Sequence, residues 1–396
     1  MHMDPLIPYL AGAVLVVVGI GLTLRRFQQP LVVAYLLAGV VLGPHATGWI
    51  ESSHVLEELG ALGVLLLLFF VGMEISPAAL LARWRVAVIG TALQVGVSVG
   101  LVALAGIALE WELPRIVLLG FVLSLSSTAV VLKLVRENRD EDPEVAQDVT
   151  AVLLAQDLAI VPMMIAISFL HGTEVPAEVL WTQGIGALGA TALVAWICRR
   201  KVVRLPFARA LRTDEELQVF VALLVCFGFA VLAAVLQLSA ALGAFLAGLL
   251  VGAAKETRHF HEHLKPFEVV FVAAFFVSIG LLIDLEFLST HWMMLAFLVA
   301  LVFATNTGIN APALRVAGSS WRRSLYSASL LAQIGEFSFV LALVGYQSGI
   351  IEEFAYQTTL SVISLSLLVS PAWIVLVRRL TRPSALPLPG APANTP

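Results

Sequence analysis

The sequence predicts an all-α polytopic membrane protein that crosses the bilayer thirteen times, and three observations point that way. Of 396 residues, 60% are hydrophobic and only 13% are charged. A soluble chain of this length needs far more charge to cover its surface. Cutting the sequence at charged and Pro/Gly clusters leaves thirteen apolar runs near the length of about 20 residues that a membrane helix needs. The basic residues then fall in alternate connections between those runs, as the positive-inside rule requires.

The runs lie at about 6–24, 30–49, 57–75, 84–109, 114–136, 145–170, 177–198, 216–237, 239–254, 266–284, 291–317, 322–347 and 356–380. The first is long enough to span and has no small-residue cleavage site behind it, so it reads as a retained helix. Of the 23 basic residues, every one except Arg115 falls in an odd-numbered connection or the C-terminal segment. Acids occupy the even ones, among them Glu51, Glu110, Glu174, Asp284 and Glu352. This places the N-terminus outside and the C-terminus in the cytoplasm of a bacterial inner membrane. The basic loops contact lipid headgroups and have no aromatic interleaving, so nucleic acid is not an expected partner. Residues 1–382 form the membrane domain, and the Pro/Ala-rich stretch 383–396 reads as a disordered cytoplasmic tail. Cys198 and Cys226 sit in apolar runs and read as small inert hydrophobes.

Two helix triplets look related. The middle helix of one reads VLLGFVLSLSSTAVVLKLV and that of the other SLYSASLLAQIGEFSFVLALVG. An odd shift in loop parity makes them cross in opposite senses, the inverted-repeat arrangement in which broken helices meet near the midplane. Polar clusters fall mid-helix in both: Ser124, Ser126, Ser127 and Thr128 in one, and Gln333, Gly335 and Glu336 in the other. The core is expected over about 84–170 and 291–380, with the remaining helices as scaffold.

Two acids sit at the centre of apolar runs, Asp157 and Glu336. A charge at the bilayer centre costs about 2.5–3.5 kcal/mol on the insertion scale, so such a residue normally faces a cavity and has a partner. A carboxylate at Asp157 is a hard oxygen ligand for either a proton or an alkali cation, K+ or Na+, and a site that must hold one or the other couples their movements. Gln156 and the hydroxyls of Ser126, Ser127 and Thr128 could supply further oxygens, as could carbonyls freed in an unwound SLSST segment. Interhelical hydrogen bonding is the competing role for those hydroxyls. Pro162 removes a backbone donor one turn beyond Asp157 and is expected to loosen that helix.

Glu336 could bind a proton, pair with the dipole of a broken helix or ligate an ion, and a structural-electrostatic role is favoured. Asp148 is expected near the cytoplasmic mouth, and Glu74 at the cytoplasmic interface. Asn306 and Asn310 are one turn apart and share a face, as interhelical bonds or cavity lining, with Pro312 expected to kink their helix. The His-rich stretch KETRHFHEHLKP reads as a solvated loop rather than a metal site. Gly12 and Gly19, or Gly39 and Gly43, could mark a dimer face.

The stretches LLLLFFVGMEIS, SLSSTAVVLKLV, VLLAQDLAIVP, LGAFLAGLLVG, KPFEVVFVAAFFVSIGLLIDL and LLAQIGEFSFVLALVG run in order from Leu65 to Gly345. Together they resemble the monovalent cation:proton antiporters, specifically the Kef-type potassium/proton branch. The resemblance implies a sodium/proton antiporter-like fold with two crossed, unwound helices and a homodimer. It also implies K+/H+ antiport with Asp157 as the ion carrier, and Gln156 beside it tilts the substrate toward potassium. Two departures stand out. The family usually has a Lys where this chain has Asn306, which bears on charge stoichiometry. Kef-type proteins also often continue into a nucleotide-binding regulatory domain, and no GxGxxG unit follows residue 382 in this sequence; the resemblance implies a regulatory cytoplasmic domain or subunit as a partner, with the tail either a natural end or a linker to it. No cofactor beyond the transported ions is expected, and no catalytic residues. A sodium/proton exchanger is the near alternative and a gated cation channel the alternative of another class. Nothing favours an enzyme, and an organic-anion symporter would want basic residues at the midplane.

Overall fold

The computed structural model describes residues 6–26, 29, 31–50, 54–74, 83–128, 130–131, 143–170, 177–199, 215–236, 238–254 and 258–381. Those residues are helical almost throughout, with an isolated β-bridge between Ser126 and Ile334. Fifteen helices are described: α1 (Leu6–Arg25), α2 (Leu31–Leu42), α3 (His54–Glu74), α4 (Trp84–Ala108), α5 (Leu113–Ser124), α6 (Pro143–Leu170), α7 (Ala177–Arg199) and α8 (Glu215–Val235), followed by α9 (Ala240–Gly252), α10 (Arg258–Leu281), α11 (Leu285–Thr290), α12 (Trp292–Val316), α13 (Trp321–Leu330), α14 (Phe337–Gln347) and α15 (Glu353–Thr381). Among the described residues six of them (in α4, α6, α8, α10, α12 and α15) are long and apolar enough to cross a membrane. Helix is what such sequences must form in lipid, because it bonds every interior backbone group within the segment.

The helices pack in two groups. In one, α2 lies on α10, and α3 on α9 and α10, with α8 against α9. Glycines set these crossings. A Cβ on Gly39 would run into the Val277 carbonyl and one on Gly280 into the Leu36 carbonyl. Gly72 and Gly248 meet in the same way, against Phe245 and Phe69. Backbones approach this closely only where side chains are absent. In the other group α4 contacts α5, α6 and α12, while α13 and α14 pack on α15 and reach back to α6 and α5. Two amides span the groups: Gln29 Nε2 donates to the Leu368 carbonyl at 3.2 Å, and Gln357 Nε2 to the Leu282 carbonyl at 3.0 Å.

Several expectations need correction. The run at 30–49 is helical only to Leu42, because Gly43-Pro44 turns the chain and Gly48 takes a positive φ of 63°. Pro162 lies inside α6 and Pro312 inside α12, so neither proline ends its helix. The His-rich stretch is not a loop: α10 begins at Arg258 and carries His259, His261 and His263 as helical residues, with Pro266 inside. Its Glu, Lys and His residues are tolerated in helix, and the polar turns extend the apolar span rather than interrupting it. Gly39 and Gly43 do not mark a dimer face, since Val277, Gly280 and Leu281 of the same chain occupy them, and Gly12 is covered by Trp49. Gly19 has open space around it. The tail 383–396 and the side chain of Cys198 lie outside the described residues, while Cys226 is buried.

Candidate functional site

Two apolar runs that read as single helices are interrupted at their polar clusters. Helix α5 stops at Ser124, Leu125 is extended (φ −90°, ψ 130°), and helical geometry resumes at Thr128. The second run divides into α13 and α14, separated by Leu331–Glu336. The two interruptions lie side by side. Ser126 and Ile334 form an antiparallel bridge, and Gly335 N donates to the Leu125 carbonyl at 2.8 Å. Gly335 is required here because a Cβ would run into the Ser126 carbonyl.

Breaking a helix in an apolar interior strands backbone donors and acceptors, which must be bonded elsewhere. Polar side chains do this work. Gln156 on α6 accepts from Ser126 N and donates to the Ser124 carbonyl, both at 3.1 Å. Asn306 on α12 donates to the carbonyls of Leu123 and Ala332, one from each interrupted run, at 3.1 Å each. Gln94 on α4 in turn donates to Asn306 Oδ1 at 2.9 Å, and Asn310 donates to the Asn306 carbonyl at 3.0 Å. Ser366 Oγ accepts from Ile334 N, and Ser338 Oγ donates to the Val122 carbonyl.

The three hydroxyls of the first interruption have separate partners. Ser126 Oγ donates to the Leu331 carbonyl at 2.7 Å. Ser127 Oγ donates to Glu336 Oε2 at 2.7 Å. Thr128 Oγ1 lies 3.1 Å from both carboxylate oxygens of Asp157. Asp157 is only 2% exposed and Glu336 6%, so two carboxylates flank one short polar segment inside the chain. Gln333 sits in the second interruption, fully buried.

The sequence-predicted residues are therefore gathered at one place, but their tasks differ. Thr128 bonds Asp157, whereas Gln156 spends both ends of its amide on backbone groups. Asn306 braces both interruptions and does not bond Asp157. Asp148 is held away from this cluster by Arg83 at 3.1 Å and Ser319 Oγ at 2.7 Å, beside an Arg83–Gln147 bond and an Arg323–Glu144 ion pair. Sequence reasoning passed over Gln94. Its signal was available, as the lone amide in the otherwise apolar middle of the fourth run.

Many apolar helices, with buried acids and amides collected at two helix interruptions, define a multi-pass membrane transporter. The family described as sodium/hydrogen exchanger, transmembrane, matches residues 12–378, and the chain belongs to it, as a monovalent cation:proton antiporter of the Kef type. Among curated relatives, the iron transporter MagA of Paramagnetospirillum magneticum is 36% identical over 96% of this chain and 88% of its own length. The glutathione-regulated potassium-efflux system protein KefC of Salmonella typhimurium is 31% identical over 89% of this chain, and the match spans 57% of KefC. K(+) efflux antiporter 5 of Arabidopsis thaliana is 30% identical over 93% of this chain and 65% of its own length. In fold, the chain matches the sodium proton antiporter MjNhaP1 from Methanocaldococcus jannaschii with a TM-score of 0.66 at 18% identity, covering 95% and 98% of the two chains. The family and fold are those of transporters, not enzymes.

Proposed function

We propose that this chain exchanges K+ for H+ across the bacterial inner membrane by alternating access, with Asp157 as the shared carrier. The observation that carries this reading is the Asp157 carboxylate, nearly sealed from solvent and bonded to Thr128 beside two interrupted helices. A carboxylate at this depth is a hard oxygen ligand that takes up either a cation or a proton, and a group that accepts either exchanges one for the other. Ser126, Ser127 and Thr128 add neutral oxygens, while Gln156, Asn306 and Glu336 hold the interruptions in place and Asn310 bonds the Asn306 carbonyl on its own helix.

In this reading the chain spans thirteen times with its N-terminus outside and C-terminus cytoplasmic, and the two interruptions are crossed, unwound helices of inverted repeats. Helices over about 84–170 and 291–380 move against the remainder, which forms the scaffold and homodimer. Among the described residues, hydrogen bonds through Gln29 and Gln357 link the two groups, an attachment compatible with relative motion. A regulatory domain or subunit belongs to the Kef-type reading as a further partner.

Sodium is the near alternative. Iron is a second reading, raised by the likeness to MagA. The donors around Asp157 are hard oxygens, which favour an alkali ion, and no group of three His, Cys, Asp or Glu gathers among the described residues. The test is proton flux in proteoliposomes with an internal pH dye, adding K+, Na+, Li+ or Fe2+ outside. Cation-triggered pH change that is lost in Asp157→Asn is the expected result, and the cation ranking assigns the substrate. Cation flux without proton movement, or exchange surviving in Asp157→Asn, would overturn the reading.

A further inference from the structure

Gln333 stands apart from every other amide at the interruptions. Gln94, Gln156, Asn306 and Asn310 each make at least one hydrogen bond to a protein group. Gln333 is fully buried, yet neither Oε1 nor Nε2 bonds any protein group. Its surroundings offer it little: Asn306 takes the adjoining Ala332 carbonyl, Ser366 takes Ile334 N, Leu125 takes Gly335 N, and Ser126 takes the Leu331 carbonyl. A buried amide with both ends unbonded bears the uncompensated desolvation cost of each orphaned group. Leucine has nearly the same volume and would avoid that cost, so a glutamine here needs a partner that is not part of the fold.

The register says what that partner is near. With Ser126 opposite Ile334 in an antiparallel bridge, Gln333 falls opposite Ser127. Ser127 bonds Glu336, and the next residue, Thr128, bonds Asp157. We propose that Gln333 is a specificity-determining residue of the ion pathway: its amide takes a water from the shell of the transported monovalent cation, or the cation itself through Oε1. A primary amide can donate to and accept from one water at once, so a single hydration water satisfies both of its ends. The side chain then replaces part of the hydration shell with a neutral oxygen and helps rank cations by size, while Asp157 supplies the charge. This inference rests on the exchange reading above and deepens it.

The test is Gln333→Leu in the same proteoliposomes, read as KM and maximal rate for K+, Na+ and Li+, together with the Tm of the purified protein. The expected outcome is a Tm equal to or above wild type, with KM for the preferred cation raised roughly tenfold or the cation ranking changed. Unchanged KM and ranking in a folded Gln333→Leu protein would overturn the inference and leave the antiport reading standing. Absence of exchange in wild type would instead remove the antiport reading. If Gln333→Leu does not fold, the site is not free of protein contacts and the inference fails on that ground. Gln333→Glu provides a second check, because a carboxylate beside a hydrated cation is tolerated and tightens cation KM, whereas in a dry packed position it abolishes folded protein.

Discussion

Gln156 precedes Asp157, the carrier acid in the proposed exchange, and its amide either ligates the ion or braces the chain; Gln156→Leu separates the two. The substitution keeps volume but removes the acceptor for Ser126 N and the donor to the Ser124 carbonyl, both at 3.1 Å in a fully buried setting. Each orphaned buried group costs about 1–3 kcal/mol, so the pair costs about 2–6 kcal/mol. In its protonated form Gln156→Glu keeps an acceptor for Ser126 N and an O–H donor for the Ser124 carbonyl, so at a pH low enough to keep that buried acid neutral it is expected to recover part of that loss. The assay is thermal unfolding of the purified protein in detergent, paired with cation KM in proteoliposomes. The expected order of Tm is wild type, then Gln156→Glu, then Gln156→Leu, with the last lower by several degrees. A Gln156→Leu protein with wild-type Tm and a raised KM alone would refute the bracing role and show that the amide turns to the ion.

Asn306→Lys would let an ammonium bond the Leu123 and Ala332 carbonyls but set it against the Gln94 donor, so exchange is expected to persist with a displaced pH profile. An unchanged profile, measured as proton flux across pH, would confine Asn306 to bracing. Gly248→Ala drives a Cβ into the Phe69 carbonyl, a backbone atom that cannot swing aside, and is expected to lower the yield of monodisperse protein by size exclusion. Gly19→Ala, which meets open space, should leave that yield unchanged.

Helix positions were largely legible in the sequence because apolar length and charge alternation are strong, local signals. The polar clusters at Ser124–Thr128 and Gln333–Glu336 were also visible, since glutamine, serine and glutamate stand out against leucine and valine. What could not be read was how each polar group spends its hydrogen bonds. Gln156 and Thr128 look equally suited to an ion in one dimension, but only folding shows that the first is committed to backbone. The glycines misled for a related reason. Gly39 and Gly43 promise a close crossing, yet spacing cannot tell whether the neighbour is another chain or α10 of the same one. The reach of α10 back to Arg258 was hidden because Pro266 suggests a boundary that the helix runs through.

Ser127 and Thr128 are consecutive, yet each serves a different acid, Glu336 and Asp157. One peptide unit thus sits between two carboxylates like the beam of a balance. A displacement of that unit alters both hydrogen bonds together.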